Sequence, residues 1–109
     1  METGSLKFTY CNTNTREVSS EIGALFPGFG SDEVLLVMSP HDDDAVIGAG
    51  YAMLAARQAG AEVYVMIFCR GDAGYSTLEE KETIEAVRER ETVACYERLG
   101  VDASHIVRM

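Results

Sequence analysis

Between Asp32-Glu33 and Ser39-Pro40 the chain reads Val34-Leu35-Leu36-Val37-Met38, an apolar run without a polar residue in it. A run this short, bounded by turn-forming residues and lacking alternation, is expected of a strand buried on both faces of a parallel sheet. The residues that follow fit the same architecture. After the polar segment 39–44, Ile47, Tyr51, Leu54, Ala55 and Gln58 recur at three- and four-residue steps, which predicts a helix of about four turns stopped by Gly60. Residues 62–68 alternate and then run apolar, predicting a second strand that leads into the loop Arg70-Gly71-Asp72-Ala73-Gly74. Ser76 or Thr77 is placed to cap a long helix from near Glu79 to Leu99, closed by Gly100. Residues 105–109 then begin a third strand.

Strand, helix, strand, helix, strand with short connections implies a right-handed βαβαβ unit in the α/β class. The expected architecture is Rossmann-like, a three-layer αβα fold around a parallel sheet, of which this unit is an incomplete portion. An exposed sheet edge then needs covering by further chain, by a partner in a homo-oligomer, or by residues 1–32. Those residues read as an N-terminal extension, with a short strand at 6–10, a short helix at 17–25 and a loop at Pro27-Gly28-Phe29-Gly30.

Charge narrows the partners. The formal net charge of −9 repels phosphate backbones and anionic membrane surfaces, which argues against nucleic acid. Cys11, Cys69 and Cys95 are odd in number, far apart and outside any CxxC pair, so reduced and mostly buried thiols are expected. The first ten residues lack a basic stretch followed by an apolar run, and no segment approaches the ~18 apolar residues of a membrane span. A cytoplasmic location is expected.

Ligands of such sheets bind beyond the carboxyl ends of the strands. The loop there is Ser39-Pro40-His41-Asp42-Asp43-Asp44, one imidazole and three consecutive carboxylates. Carboxylates crowded at a sheet end are costly unless a cation compensates them or they cap the next helix. Imidazole mixed with carboxylate suits zinc, whereas calcium or magnesium more often takes oxygen alone. A dinucleotide fingerprint fails, because Gly48-Ala49-Gly50-Tyr51-Ala52-Met53 lacks the third glycine and lies inside the helix. Asp42-Asp43-Asp44-Ala45-Val46 fits the short aspartyl-phosphatase pattern of haloacid dehalogenases, but Ser39-Pro40-His41 stands between the strand and that nucleophile position. A magnesium-dependent phosphatase with Asp42 as nucleophile is therefore the alternative enzyme, and a truncated, non-catalytic binding module the alternative outside enzymes.

Residues 37–50, Val-Met-Ser-Pro-His-Asp-Asp-Asp-Ala-Val-Ile-Gly-Ala-Gly, resemble the opening strand, loop and helix of the PIG-L/LmbE-like zinc-dependent N-acetylglucosaminyl deacetylases, whose hallmark is (A/S)PHPDDE. The likeness spans about residues 33 to 109, with the loop at 70–74 and a helix carrying Arg88 and Glu91 and ending in Leu99-Gly100-Val101. It implies that 33–109 is the N-terminal half of such a domain. It also implies that His41 and Asp44 bind Zn2+, that Asp43 is the general base, and that the substrate is an N-acetylated amino sugar. Asp42 stands where the family has proline and Ala45 where it has glutamate. Arg88, Asp72 and Asp42 are the expected substrate contacts, and Glu91 a structural or substrate-orienting partner of Arg88 on a stripe with Ile84, Val87, Ala94 and Cys95. The third zinc ligand of the family lies beyond Met109, so the chain by itself is expected to be weakly active or inactive. His105 falls at the opposite end of the sheet from the motif.

Overall fold

A computed structural model of the chain describes residues 6–69 and 78–109. The elements run β1 (Tyr10–Cys11), β2 (Val18–Ser19), β3 (Val34–Ser39), α1 (Asp44–Gln58), β4 (Glu62–Ile67), α2 (Leu78–Arg98) and β5 (Ile106–Arg108), with 3-10 turns at Ile22–Ala24 and Ala103–His105. β3, β4 and β5 form a parallel sheet in that order. The α/β class and the βαβαβ order are as the hydrophobic pattern predicts.

The register decides what faces the core. Leu35, Val37 and Ser39 lie opposite Val63, Val65 and Ile67, and Val65 and Ile67 lie opposite Ile106 and Arg108. Side chains alternate along a strand, so all of these share one face. Against that face pack Ala45, Met53 and Ala56 of α1 and Tyr96 of α2 in a single cluster. Strand order equal to chain order, with crossovers of one hand, puts both helices on the same side.

The opposite face therefore carries no helix among the described residues. Val34, Leu36, Met38 and Val107 are exposed there, Met38 to 66 %. The expectation that β3 is buried on both faces is corrected: it is buried on one, and the described layers number two. Its unbroken apolar run is nonetheless what a sheet covered on both sides calls for.

Both helices end by the same device. Gly60 and Gly100 have φ of +88° and +82°. Their N–H groups donate to Arg57 and Glu97, while Ala61 and Val101 donate back to Ala56 and Tyr96. This pair of bonds satisfies the orphan carbonyls of the last turn and returns an apolar residue to the core, and a Cβ at the left-handed position is disfavoured. Ala61 and Val101 are accordingly buried.

The helix faces differ from the expected stripes. On α1, Leu54 and Ala55 are buried but Ile47 and Tyr51 are 79 % and 81 % exposed. The sheet meets α1 through the face of Ala45, Met53 and Ala56, and a helical step of about 100° per residue turns Ile47 and Tyr51 to the opposite side. On α2 the buried positions are Thr92 and Tyr96, one turn apart, and Ala94 and Cys95 are exposed. A polar residue inside the stripe shifted its apparent centre.

Residues 10–19 form a hairpin instead of leading into a helix at 17–25. Asn12 Oδ1 accepts the N–H groups of Asn14 and Thr15 at 3.0 and 3.2 Å, and Arg16 adopts φ +62°. This local turn captures the backbone groups a helix would use. The only helical piece of the segment is the turn at Ile22–Ala24, and Ile22 and Phe29 pack on the edge of the core. All three cysteines, expected to be mostly buried, are exposed, because the hairpin, the end of β4 and the outer side of α2 place them on the surface. Among the described residues no helix is long and apolar enough to cross a membrane.

Candidate active site

The loop of residues 39–44 leaves the carboxyl end of β3 beside the end of β4. Phe68 N–H donates to Ser39 O at 3.1 Å and Cys69 N–H to Pro40 O at 2.8 Å, so the chain segments leaving the two strands run together. Ser39 is fully buried, and its hydroxyl donates to His41 O while accepting Ala45 N–H at 3.0 Å. One side chain thus ties the strand to the first turn of α1.

That bond also answers the capping alternative for the aspartates. Asp43 is the N-cap residue of α1 but makes no side-chain cap bond. Asp44 turns back instead, accepting His41 N–H at 2.8 Å and lying 3.2 Å from His41 Nδ1. The side chains of His41 and Asp44 are 63 % and 45 % exposed, and Asp43 is exposed beside them. Position alone still lets Asp44 complement the positive end of α1.

Asp42 points the other way. Its carboxylate accepts Arg108 Nη1 at 3.1 Å and Nη2 at 2.5 Å and the Thr92 hydroxyl, and its backbone oxygen accepts the Tyr96 hydroxyl at 2.6 Å. Burial by itself raises the Asp42 carboxyl, but hydrogen bonds from Arg108 and Thr92 and the charges of Arg108 and Arg88 outweigh it and hold it below the usual carboxylate range. The same hydrogen bond raises Arg108. Burial first of all pushes the Tyr96 hydroxyl up to about 12. Asp42, expected to face substrate, is committed to the interior, and this leaves no free nucleophile of the phosphatase kind at that position.

A sign follows for pH. A carboxyl whose folded pKa is depressed contributes stability that is full above its unfolded value of about 4 and is lost as pH falls through the folded one. Asp42→Asn should therefore cost a constant increment of stability from about pH 5 to 8, shrinking below pH ~4. Urea unfolding across that range checks it, and an increment that persists undiminished in acid would show that the charge of Asp42 is not what stabilises.

Arg88 is half-buried, its Nε is enclosed without a hydrogen-bond partner, and its charge reaches Asp42. Among the described residues no ion pair joins it to Glu91, which is exposed, so the i, i+3 pairing expected of them does not form. Asp72 and the caps at Ser76 and Thr77 lie outside the described residues, as do the side chains of Glu79, Glu80, Glu82 and Glu85. His105 sits at the far end of the sheet, stacked on Tyr64 with ring centroids 3.9 Å apart and Nδ1 3.0 Å from Val63 O.

Sequence reasoning missed Arg108, Thr92, Tyr96 and Ser39. Arg108 had a signal: in Ile106-Val107-Arg108 the alternation places a cation on the inward face, at the strand end nearest three aspartates. For Thr92 and Tyr96 the signal was weaker, since only their places four and eight residues after Arg88 mark one side of α2.

As to which donors could hold a metal, His41 and Asp44 offer one nitrogen and one oxygen 3.2 Å apart, close to the ~3.3 Å between two ligands of a tetrahedral zinc with bonds of about 2.0–2.1 Å. The pair fits a zinc ion. Among the described residues no third His, Cys, Asp or Glu joins them.

Fold and loop together describe an α/β protein with a His-Asp pair at the carboxyl end of a parallel sheet. Residues 36–109 match the model of the PIG-L family, GlcNAc-PI de-N-acetylase, and the chain belongs to that family of deacetylases. No curated protein matches the chain.

Proposed function

We propose that the site performs zinc-dependent hydrolysis of the N-acetyl group of an N-acetylated amino sugar, releasing acetate and the free amine. The observation that carries this reading is the convergence of His41 Nδ1 and Asp44 Oδ2, with the exposed carboxylate of Asp43 adjacent and unused by the helix cap. His41 and Asp44 hold the metal, and the remaining ligand comes from outside the described residues. When bound, the ion supplies Lewis acidity toward an amide carbonyl and toward water.

The chain's own residues supply the rest. Asp43 accepts a proton from the attacking water as the C–O bond forms, and returns it to the nitrogen as the C–N bond breaks. Arg88, whose Nε has no hydrogen-bond partner, holds sugar hydroxyls, and Asp72 is proposed as a further substrate contact. Asp44 and His41 present their donors to solvent, which leaves room for a substrate to approach.

The test is acetate release from an N-acetylglucosamine conjugate with zinc, with magnesium and after chelation. A small zinc-dependent rate is expected, falling by a further 10²–10⁴ in Asp43→Asn, with zinc affinity kept within about threefold. A rate in Asp43→Asn equal to that of the parent would remove the general base from this mechanism. Acetate release that magnesium supports and zinc does not would remove zinc from this reading.

A further inference from the structure

The peptide groups of the motif loop are held one by one. The carbonyls of Ser39, Pro40, His41, Asp42 and Asp43 accept, in order, from Phe68 N–H, Cys69 N–H, the Ser39 hydroxyl, the Tyr96 hydroxyl and Ile47 N–H. No carbonyl in the turn depends on solvent, so another backbone conformation of the loop has to break at least one of these bonds. Within it the side chains sort by direction. Asp42 is turned inward, its side chain only 13 % exposed, while His41, Asp43 and Asp44 are turned out.

What holds Asp42 inward is a cation on the same face of the sheet, from its opposite edge strand. Arg108 stands two strands away in β5, opposite Ile67, and its guanidinium grips the carboxylate with two nitrogens at 3.1 and 2.5 Å. A two-point contact fixes orientation as well as distance. Thr92 adds a third bond to the same carboxylate from α2. A carboxylate this enclosed that loses its partner has to turn toward water. Asp42 adjoins His41 and lies two residues before Asp44, so turning it outward moves the backbone between the two donors and draws them apart.

We propose that the Asp42–Arg108 ion pair, braced by Thr92 and Tyr96, is a positioning clamp that sets the loop so that His41 and Asp44 converge on a metal before the metal arrives. Asp42 and Arg108 are positioning residues and touch no substrate. The metal half of this inference rests on the zinc reading above; the loop half does not. The clamp also explains how an aspartate can stand in the proline position. Proline would stiffen the turn through its ring, and Asp42 does so through bonds to β5 and α2.

Amide hydrogen exchange on the whole chain without metal tests the clamp. The His41 N–H, bonded to the Asp44 carboxylate, reports the convergence directly. In Arg108→Met and in Asp42→Asn its exchange should quicken about tenfold or more, while Val65 and Ile67 in the sheet keep the parent's protection. Unchanged protection at His41, or loss that merely keeps pace with the sheet amides, overturns the proposal. Should Arg108→Met fail to fold, Asp42→Asn, which keeps the shape but removes the charge and one acceptor oxygen, decides alone.

Zinc titration supplies the second readout. The clamp variants should bind zinc about 10–100-fold more weakly than the parent, as removal of outer-shell support does elsewhere. An affinity equal to the parent's in a variant whose His41 amide has lost protection separates the clamp from the metal site and overturns the proposal. If the parent chain itself binds no zinc, the deacetylase reading fails, and exchange at His41 still decides whether the clamp sets the loop.

Discussion

His41→Ala is expected to remove zinc binding to the limit of calorimetric detection. Structural zinc sites with four ligands bind with about 10–16 kcal/mol, or about 3 kcal/mol per ligand, so losing one ligand costs at least about a hundredfold. The effect should be larger here, because the described residues contribute only two donors and His41 is the sole nitrogen between them. Stability should hardly change, since the His41 side chain is 63 % exposed and its backbone bonds remain. Titration of the parent and the variant, with thermal melts alongside, checks both halves. Equal zinc affinity in the two would place the metal elsewhere and end the assignment of the motif.

Tyr96→Ala is expected to have the largest effect on stability. Tyr96 is fully buried, packs with Met53, Val65, Ile67 and Val101, and is the largest side chain in the core. Truncating a buried aromatic leaves a cavity and costs about 3–5 kcal/mol. The hydroxyl adds to this, because Asp42 O would lose the donor that holds it at 2.6 Å. A domain of this size has about 5–15 kcal/mol in all, so the variant should be largely unfolded in mild urea. Tyr96→Phe isolates the hydroxyl and should cost about 1–2 kcal/mol. If Tyr96→Ala costs less than about 1 kcal/mol by equilibrium unfolding, the cluster around α2 is not the core it is described to be.

The two variants act on the same loop from opposite sides. His41 is where the site meets solvent; Tyr96 is where it meets the interior. That the motif's four ionisable residues divide in this way was not visible in Ser-Pro-His-Asp-Asp-Asp read as a string. Three neighbouring aspartates look equivalent there, and charge compensation by a cation covers all of them alike. In the folded chain the cation for Asp42 is Arg108, 66 residues later in sequence, and Asp43 and Asp44 are left exposed.

Periodicity located the sheet well because its strands are short, apolar and punctuated by glycine. The βαβαβ order, the stops at Gly60 and Gly100 and the position of the motif after β3 followed from local pattern alone. The faces of the two helices did not. Ile47 and Tyr51 have the spacing of a buried stripe, yet α1 meets the sheet through alanines and Met53. Hydrophobic spacing finds a helix, but its rotation about its own axis depends on which residues fit against the strands, and that is a property of the pair of surfaces. The N-terminal hairpin escaped for a different reason, since its turn is built by the side chain of Asn12 bonding to its own backbone.

The sequence by itself determined the α/β class, the order of elements and the chemistry available at the strand end, because these depend on residue type and on spacing within a few residues. Only the tertiary structure decided that both helices share one face, that Asp42 turns inward to pair with Arg108, and that His41 meets Asp44 in the open. Those outcomes depend on strand order and on contacts between residues far apart in the chain, where desolvation and the pairing of charge decide between local alternatives of nearly equal energy.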